Sequence, residues 1–229
     1  MKTVLVTGAS GNMGQALVKK FLEEGYSVSG TFVPNDPLQQ GIDHPDFEAI
    51  TVNLQEEAEA TDMVTELLER KGKIDAAVLT VGGFAMGDIA GTGSKDILQQ
   101  YRLNFETAYH VARPVFEHMI KEGNGRIFLV GSRPGADMRA GKGMTAYALA
   151  KSLLFRLAEL MNEEAKGTNV VTAVIIPSTI DTPQNRKSMP DADFSKWVKP
   201  EEIAALVCFH CSKEGAALRE PVLKIYGGS

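Results

Sequence analysis

Thr3-Val4-Leu5-Val6-Thr7-Gly8-Ala9-Ser10-Gly11-Asn12-Met13-Gly14 carries an apolar, β-branched run straight into a turn holding three glycines. A helical pattern follows over 12–24 and stops at Gly25, a residue suited to a left-handed cap. Glycine serves three needs in such a turn: a tight bend, close approach of a diphosphate, and packing of helix against strand. The free amides at the helix start also meet negative charge along a favourable dipole. With a strand before it, a helix after it and another strand next, the turn has the context of a dinucleotide site. Gly8, Ser10, Gly11, Asn12, Met13 and Gly14 are therefore candidate cofactor-binding residues.

Outward from this turn, strands are expected at 2–7, 26–33, 48–52, 74–81, 125–131, 169–176 and 221–226. Several are continuous apolar runs, as strands covered on both faces are. Helices are expected near 12–24, 55–71, 95–121, 143–166 and 200–213, with a kink in the long helix over 95–121 at Pro114. Alternating elements imply an α/β fold: a single-domain, doubly wound parallel sheet of Rossmann type over 1–229, with helices on both faces.

Composition excludes some classes. A net charge of −5, with Lys and Arg scattered among acids, leaves no basic stripe for nucleic acid. The longest apolar run, about Val170 to Pro177, is far short of a membrane span, and no secretion signal is read at the start. A cytoplasmic protein with a small-molecule substrate is the expectation. Cys208 and Cys211 lack partner ligands at metal spacing, so no metal is expected and both are read as packed thiols on a helix.

In a dinucleotide site the second strand ends with an acid for the adenine ribose, or a nearby base for a 2′-phosphate. Gly30-Thr31-Phe32-Val33-Pro34-Asn35-Asp36 has neither at Phe32, and Asp36 is either a ribose ligand or a turn residue. The cofactor is NAD(P)H, with NADH against NADPH left open. Asn53 and Leu54, past the third strand, are candidates for the adenine end; Asn53 either meets the adenine amino group or caps the next helix.

Tyr147-Ala148-Leu149-Ala150-Lys151 opens a strongly periodic helix, and the i,i+4 spacing puts Tyr147 and Lys151 on one face. An ammonium near a phenol favours phenolate and lowers its pKa, as a general acid for a carbonyl oxygen requires. The pair follows the fifth strand and the loop Gly131-Ser132-Arg133-Pro134-Gly135, where an open sheet binds ligands.

Jointly and in order, Gly8, Gly11, Gly14, Asn104 within Tyr101-Arg102-Leu103-Asn104, Ser132, Tyr147, Lys151 and the run Pro177 to Thr182 resemble the short-chain dehydrogenase/reductase family. The resemblance implies that Tyr147 protonates the substrate oxygen as hydride arrives. It implies that Lys151 binds the nicotinamide ribose and lowers the Tyr147 pKa, that Ser132 polarises the reacting group, and that Asn104 supports a proton relay. Gly82 and Pro177 would line the cofactor, and Ile180 and Thr182 would hold the carboxamide. It also implies a homodimer or homotetramer built through the fourth and fifth helices, with Phe105, Val111, Val115, Phe116 and Met119 either at that interface or on their own sheet. Departures are Asn12 for a glycine, Thr80-Val81-Gly82-Gly83 for the usual Asn-Asn-Ala-Gly, and a Ser132–Tyr147 loop two residues longer than usual.

Val81-Gly82-Gly83 and the segment Pro177 to Trp197 are similar to the dihydropteridine reductase branch, although the ribose-binding acid of that branch is missing at Phe32. Met189 to Trp197 reads as a loop able to close over a site, with Trp197 and Met144 either lining a pocket or only packing. Carbonyl reduction is thus the first expectation and reduction of a quinonoid pterin the second. A non-catalytic dinucleotide sensor is the rival from another class, opposed by the intact Tyr147–Lys151 pair. A sugar-nucleotide epimerase is disfavoured by the short stretch after the sixth strand.

Overall fold

The side chains of Thr3 to Thr7 are all buried, and they alternate between two cores. Val4 and Val6 pack with Leu17, Phe21 and Val207, whereas Leu5 packs with Leu67, Ala77, Val111 and Leu154. A period of two with both faces apolar requires cover above and below. Each buried Leu, Val or Phe stabilises the fold by about 1.5–3 kcal/mol. The computed structural model describes residues 1–39 and 41–228.

Seven strands form one parallel sheet in the order β3-β2-β1-β4-β5-β6-β7. They are β1 (Thr3–Thr7), β2 (Ser27–Phe32), β3 (Phe47–Thr51), β4 (Ala76–Leu79), β5 (Asn124–Val130), β6 (Asn169–Pro177) and β7 (Val222–Ile225). The register sets Val6 between Gly30 of β2 and Val78 of β4. The order reverses between β1 and β4, so their C-terminal ends diverge into a crevice at the switch point. All seven strands were legible, as was the fold class.

The helices are α1 (Asn12–Glu23), α2 (Glu57–Lys71), α3 (Ser94–Tyr101), α4 (Thr107–Glu122), α5 (Arg133–Ala136), α6 (Thr145–Glu164), α7 (Pro183–Ser188) and α8 (Pro200–Cys211). Helices α1 and α8 cover one face; α2, α4 and α6 cover the other. The expected helix over 95–121 is divided by a π-helical turn at Arg102–Glu106. The departure from α geometry therefore sits at that turn, and α4 runs on through Pro114.

Val111, Val115 and Met119 are wholly buried against the sheet, with Phe105 and Phe116 packed partly buried on the same core. Val111, Val115 and Met119 thus pack on their own sheet. Cys208 and Cys211 are buried on α8, and burial pushes the Cys211 thiol up to about 12. No helix among the described residues is long and apolar enough to cross a membrane.

The seat of α1 on the turn is the tightest approach at the crevice. A Cβ at Gly14 would lie 2.1 Å from the Gly8 carbonyl oxygen and 2.9 Å from Ala9 Cα. Gly14→Ala should cost about 1–3 kcal/mol or more through overpacking. That is a fall of roughly 2–4 °C in melting temperature for each kcal/mol in a chain of this size. A variant that melts with the parent would show that the helix is not seated this closely.

Candidate active site

Ser132 stands just past β5 and does two things at once. Its Oγ accepts from the Gly135 amide at 3.1 Å, capping α5, and its hydroxyl lies close enough to the Tyr147 phenol to favour the phenolate. The longer loop that follows is taken up by α5 and a 3₁₀ turn at Met138–Gly141. The chain can fold back this far because position 135 is glycine. A Cβ there would lie 2.7 Å from Lys151 Cβ and 2.8 Å from its carbonyl carbon. The extra residues thus do not separate Ser132 from Tyr147.

Tyr147 and Lys151 lie one turn apart on α6, as the spacing predicts, but the amine is turned elsewhere. Lys151 is 4% exposed and its Nζ donates to the Val130 carbonyl, the last of β5, at 2.7 Å. Burial lowers its pKa to about 8, since the charged form is disfavoured away from water. Burial raises the pKa of half-buried Tyr147, and the Ser132 hydroxyl beside it offsets part of that rise. The expected lowering of the phenol by a neighbouring ammonium is not realised in this arrangement. A four-carbon stem lets Nζ reach the sheet end instead of the ring.

Asn104 is fully buried within the π-helical turn. One extra residue in the ladder aims a side chain where an α-helix would not, which is why such turns recur at functional sites. Its Oδ1 accepts from the Gly83 amide at 3.0 Å, and Nδ2 donates to the Gly83 carbonyl at 3.0 Å and to Gln100 Oε1 at 3.0 Å. The carboxamide is a clamp on the chain leaving β4. A Cβ at Gly82 would lie 2.6 Å from Asn104 Oδ1 and 3.0 Å from Lys151 Nζ, so amide and amine flank this glycine.

At the other end of the crevice, Gly8 has φ +66°, and α1 begins after Gly11 with no side-chain cap. Its first-turn amides are open to an anion. Absent side chains plus open amides fit a dinucleotide diphosphate, held by the backbone from Ser10 to Gly14. A groove of about 820 Å³ continues from there, walled by Ser10, Asn12, Phe32, Leu38, Asp181 and Lys199, among others. Tyr147 is not on that wall, so the groove belongs to the β2 end and the titratable pair to the far end.

Several residues chosen from the sequence are held by local structure. Phe32 is 2% exposed, with its ring edge-on to Phe47. Asp36 Oδ1 accepts from the Leu38 amide at 2.9 Å, as a turn residue does. Asn53 Oδ1 accepts from the Gln55 amide at 3.2 Å, while Glu56 occupies the N-cap of α2. Leu54 packs in the core, and its carbonyl meets His110 Nδ1 at 3.0 Å.

Past Pro177, which closes β6, the Ile180 carbonyl accepts from Asn185 Nδ2 at 2.8 Å. Thr182 caps α7 by accepting from the Asn185 amide. Trp197 is buried and packs on Phe194 with ring centroids 4.7 Å apart, so of its two roles packing is the one seen. Met144 is partly buried at the start of α6.

Two residues passed over in the sequence belong here. Gln184 Oε1 accepts from Asn12 Nδ2 at 3.1 Å, joining α7 to the glycine turn. Phe84 stands edge-on to Tyr147, centroids 5.2 Å apart at 74°. Its one signal was its place as the first side chain after Gly82-Gly83.

Comparison with known proteins gives the chain a family. The family model for short chain dehydrogenases matches residues 2–193. The chain is similar to acetoacetyl-CoA reductase of Acinetobacter sp. (strain RA3849), 25% identical over 242 residues, covering 99% of this chain and 97% of that one. It is 27% identical over 222 residues to the cyclic-di-GMP-binding biofilm dispersal mediator protein of Escherichia coli (strain K12), covering 94% and 91%. A short-chain dehydrogenase/reductase from Serratia marcescens BCRC 10948 superposes with a TM-score of 0.88 at 24% identity, covering 99% and 97%. The glycine turn past β1 and the Ser132–Tyr147–Lys151 corner past β5 thus stand in a chain that belongs to the short-chain dehydrogenase family of NAD(P)-dependent oxidoreductases.

Proposed function

We propose that the protein reduces a carbonyl compound at the expense of NAD(P)H, with Tyr147 as the general acid. The observation that carries this reading is the Ser132 hydroxyl beside the Tyr147 phenol, past the C-terminal end of β5, in a sheet whose β1 runs into the uncapped glycine turn. When bound, the reduced nicotinamide supplies a hydride to the carbonyl carbon. As the π pair of the C=O bond moves onto oxygen, Tyr147 gives that oxygen its phenolic proton and an alcohol results. Burial keeps the phenol protonated until then. Ser132 orients the carbonyl oxygen toward the phenol. Lys151, with a pKa near 8, carries a proton at neutral pH and would return it toward the phenolate only once its Nζ leaves the Val130 carbonyl. Gly82 stands between Asn104 Oδ1 and Lys151 Nζ, and Pro177, Ile180 and Thr182 are the residues that would hold the nicotinamide end, as the family resemblance implies.

Quinonoid pterins belong in the same assay as ketones and aldehydes, because hydride and proton add there in the same sense. A sensor reading has one point in its favour: the similar E. coli protein is named for binding a cyclic dinucleotide. Tyr147→Phe should lower turnover by about 10²–10⁴-fold and leave affinity for the reduced cofactor nearly unchanged. Oxidation of NADH and NADPH is followed beside fluorescence titration of the cofactor. Turnover that survives the substitution removes Tyr147 from the mechanism. Absence of turnover with every acceptor, together with tight binding of a cyclic dinucleotide, would favour the sensor.

Lys151 gives a second test. Its pKa falls from 10.5 unfolded to about 8 folded, so between those values the unfolded chain holds more proton. Stability from this group therefore rises as pH rises through about 8 to 10.5. Below that window the buried ammonium costs on the order of 3 kcal/mol. Lys151→Met should lose turnover and flatten the rise, its stability relative to the parent being greatest near neutral pH and declining toward pH 10. Urea unfolding across this range checks it; a difference independent of pH would mean the amine does not titrate as a buried group.

A further inference from the structure

Apolar side chains are normally exposed singly, and a contiguous group of them marks a binding surface. Phe84, Met86 and Ile89 are 61%, 68% and 81% exposed within six residues. They are not on a loose loop. The Gly87 amide donates to the Gly143 carbonyl at 2.8 Å, and the Thr145 amide donates back to the Gly87 carbonyl at 2.8 Å. On the other side, Gly82 and Gly83 press against Asn104 and Leu103 so closely that neither has room for a Cβ. The chain is fixed on both sides of Phe84.

Phe84 contacts the Tyr147 ring with its own ring nearly perpendicular, which leaves its outer surface free. The Met86 methyl lies 3.7 Å from where a Cβ on Gly143 would stand, so it borders the start of α6. Charges on the two flanking loops are mostly spoken for. Asp137 is paired with Arg139, Arg133 lies over the Tyr226 ring at 4.9 Å, and Asp88 Oδ1 accepts from the Gly91 amide. Lys142 remains on an exposed turn. A carboxylate beside the reacting carbonyl would lose water against a phenyl ring and a thioether, a costly exchange. An aromatic group would gain apolar burial and an edge or face contact.

Resting on the reading of Tyr147 as proton donor, we propose that Phe84 and Met86 form the substrate-side wall of the cleft. The substrate they select is an uncharged aryl ketone or aldehyde. Phe84 is the specificity-determining residue, since its ring meets both the phenol and the group attached to the carbonyl.

Acetophenone and pyruvate are the probes. Acetophenone should be reduced with a kcat/KM at least about tenfold above that of pyruvate, and Phe84→Ala should cut this ratio roughly tenfold. In protein saturated with oxidised cofactor, with methyl-labelled methionines and Met86 assigned through Met86→Leu, acetophenone should shift the Met86 resonance and pyruvate should not. A preference for pyruvate, a ratio untouched by Phe84→Ala, or a Met86 signal that ignores acetophenone overturns the wall. Turnover that depends on Tyr147 but shows no aryl preference sinks this inference alone. Failure of every carbonyl sinks the reading of Tyr147, and the Met86 resonance then still decides whether an aryl ketone sits on the wall.

Discussion

One buried amine sets the reacting end of this molecule. Lys151 Nζ bonds to the last carbonyl of β5 and so ties α6 to the end of that strand. The ammonium loses most of its water for a single carbonyl, so its pKa falls. Room for it comes from residues without side chains. Gly135 lies against the Lys151 backbone and Gly82 beside its amine, so a methyl group at either place would collide with it. Glycine is used at these two points to let a long polar side chain pass inward, rather than for an unusual backbone angle.

Burial acts on Tyr147 and Lys151 in the same direction, toward the neutral form, although it raises one pKa and lowers the other. A neutral phenol is the form that can donate a proton, so the environment favours the acid needed at the start of a reduction. Ser132 opposes the shift, because a hydrogen bond to the phenolate form favours it. Spacing alone suggested that the ammonium would do this. The structure gives the task to a hydroxyl, because the amine already has a partner at the sheet end. A phenol lowered by Lys151 would require Nζ to exchange the Val130 carbonyl for a partner nearer the ring.

The strands were legible because each is a short apolar run between turn signals, and the glycine turn because its spacing answers to a diphosphate. What escaped was nonlocal. A π-helical turn shifts the helical phase by a single residue, and the run from Leu98 to Val111 reads as helix with or without it, so the clamp of Asn104 on Gly83 left no sequence trace. The loop after Ser132 read as two residues longer than usual, which left the place of the serine open; α5 and the 3₁₀ turn coil the extra length back onto α6. The direction of Lys151 depends on a carbonyl 21 residues away in the chain, which no i,i+4 argument can reach. Leu54 and Phe32 were chosen by position; the side chains of both are buried, and Phe32 also borders the groove beside the glycine turn.

The site is therefore assembled from two kinds of part with different freedom to change. Tyr147, Lys151, Ser132 and Asn104 stand on regular elements or at their ends, each tied to backbone or to a neighbour through contacts that leave little slack. Phe84, Met86 and Ile89 ride on a loop held by the Asn104 clamp on Gly83 and by two hydrogen bonds between Gly87 and the residues Gly143 and Thr145 at the start of α6. Side chains on such a loop can be exchanged without disturbing the sheet, since they are mostly exposed and pack on little else. The two parts meet at the Phe84–Tyr147 ring contact. That contact is where an exchange on the loop would be felt by a side chain of the regular elements, since the Phe84 ring meets the phenol edge-on while most of its surface faces outward.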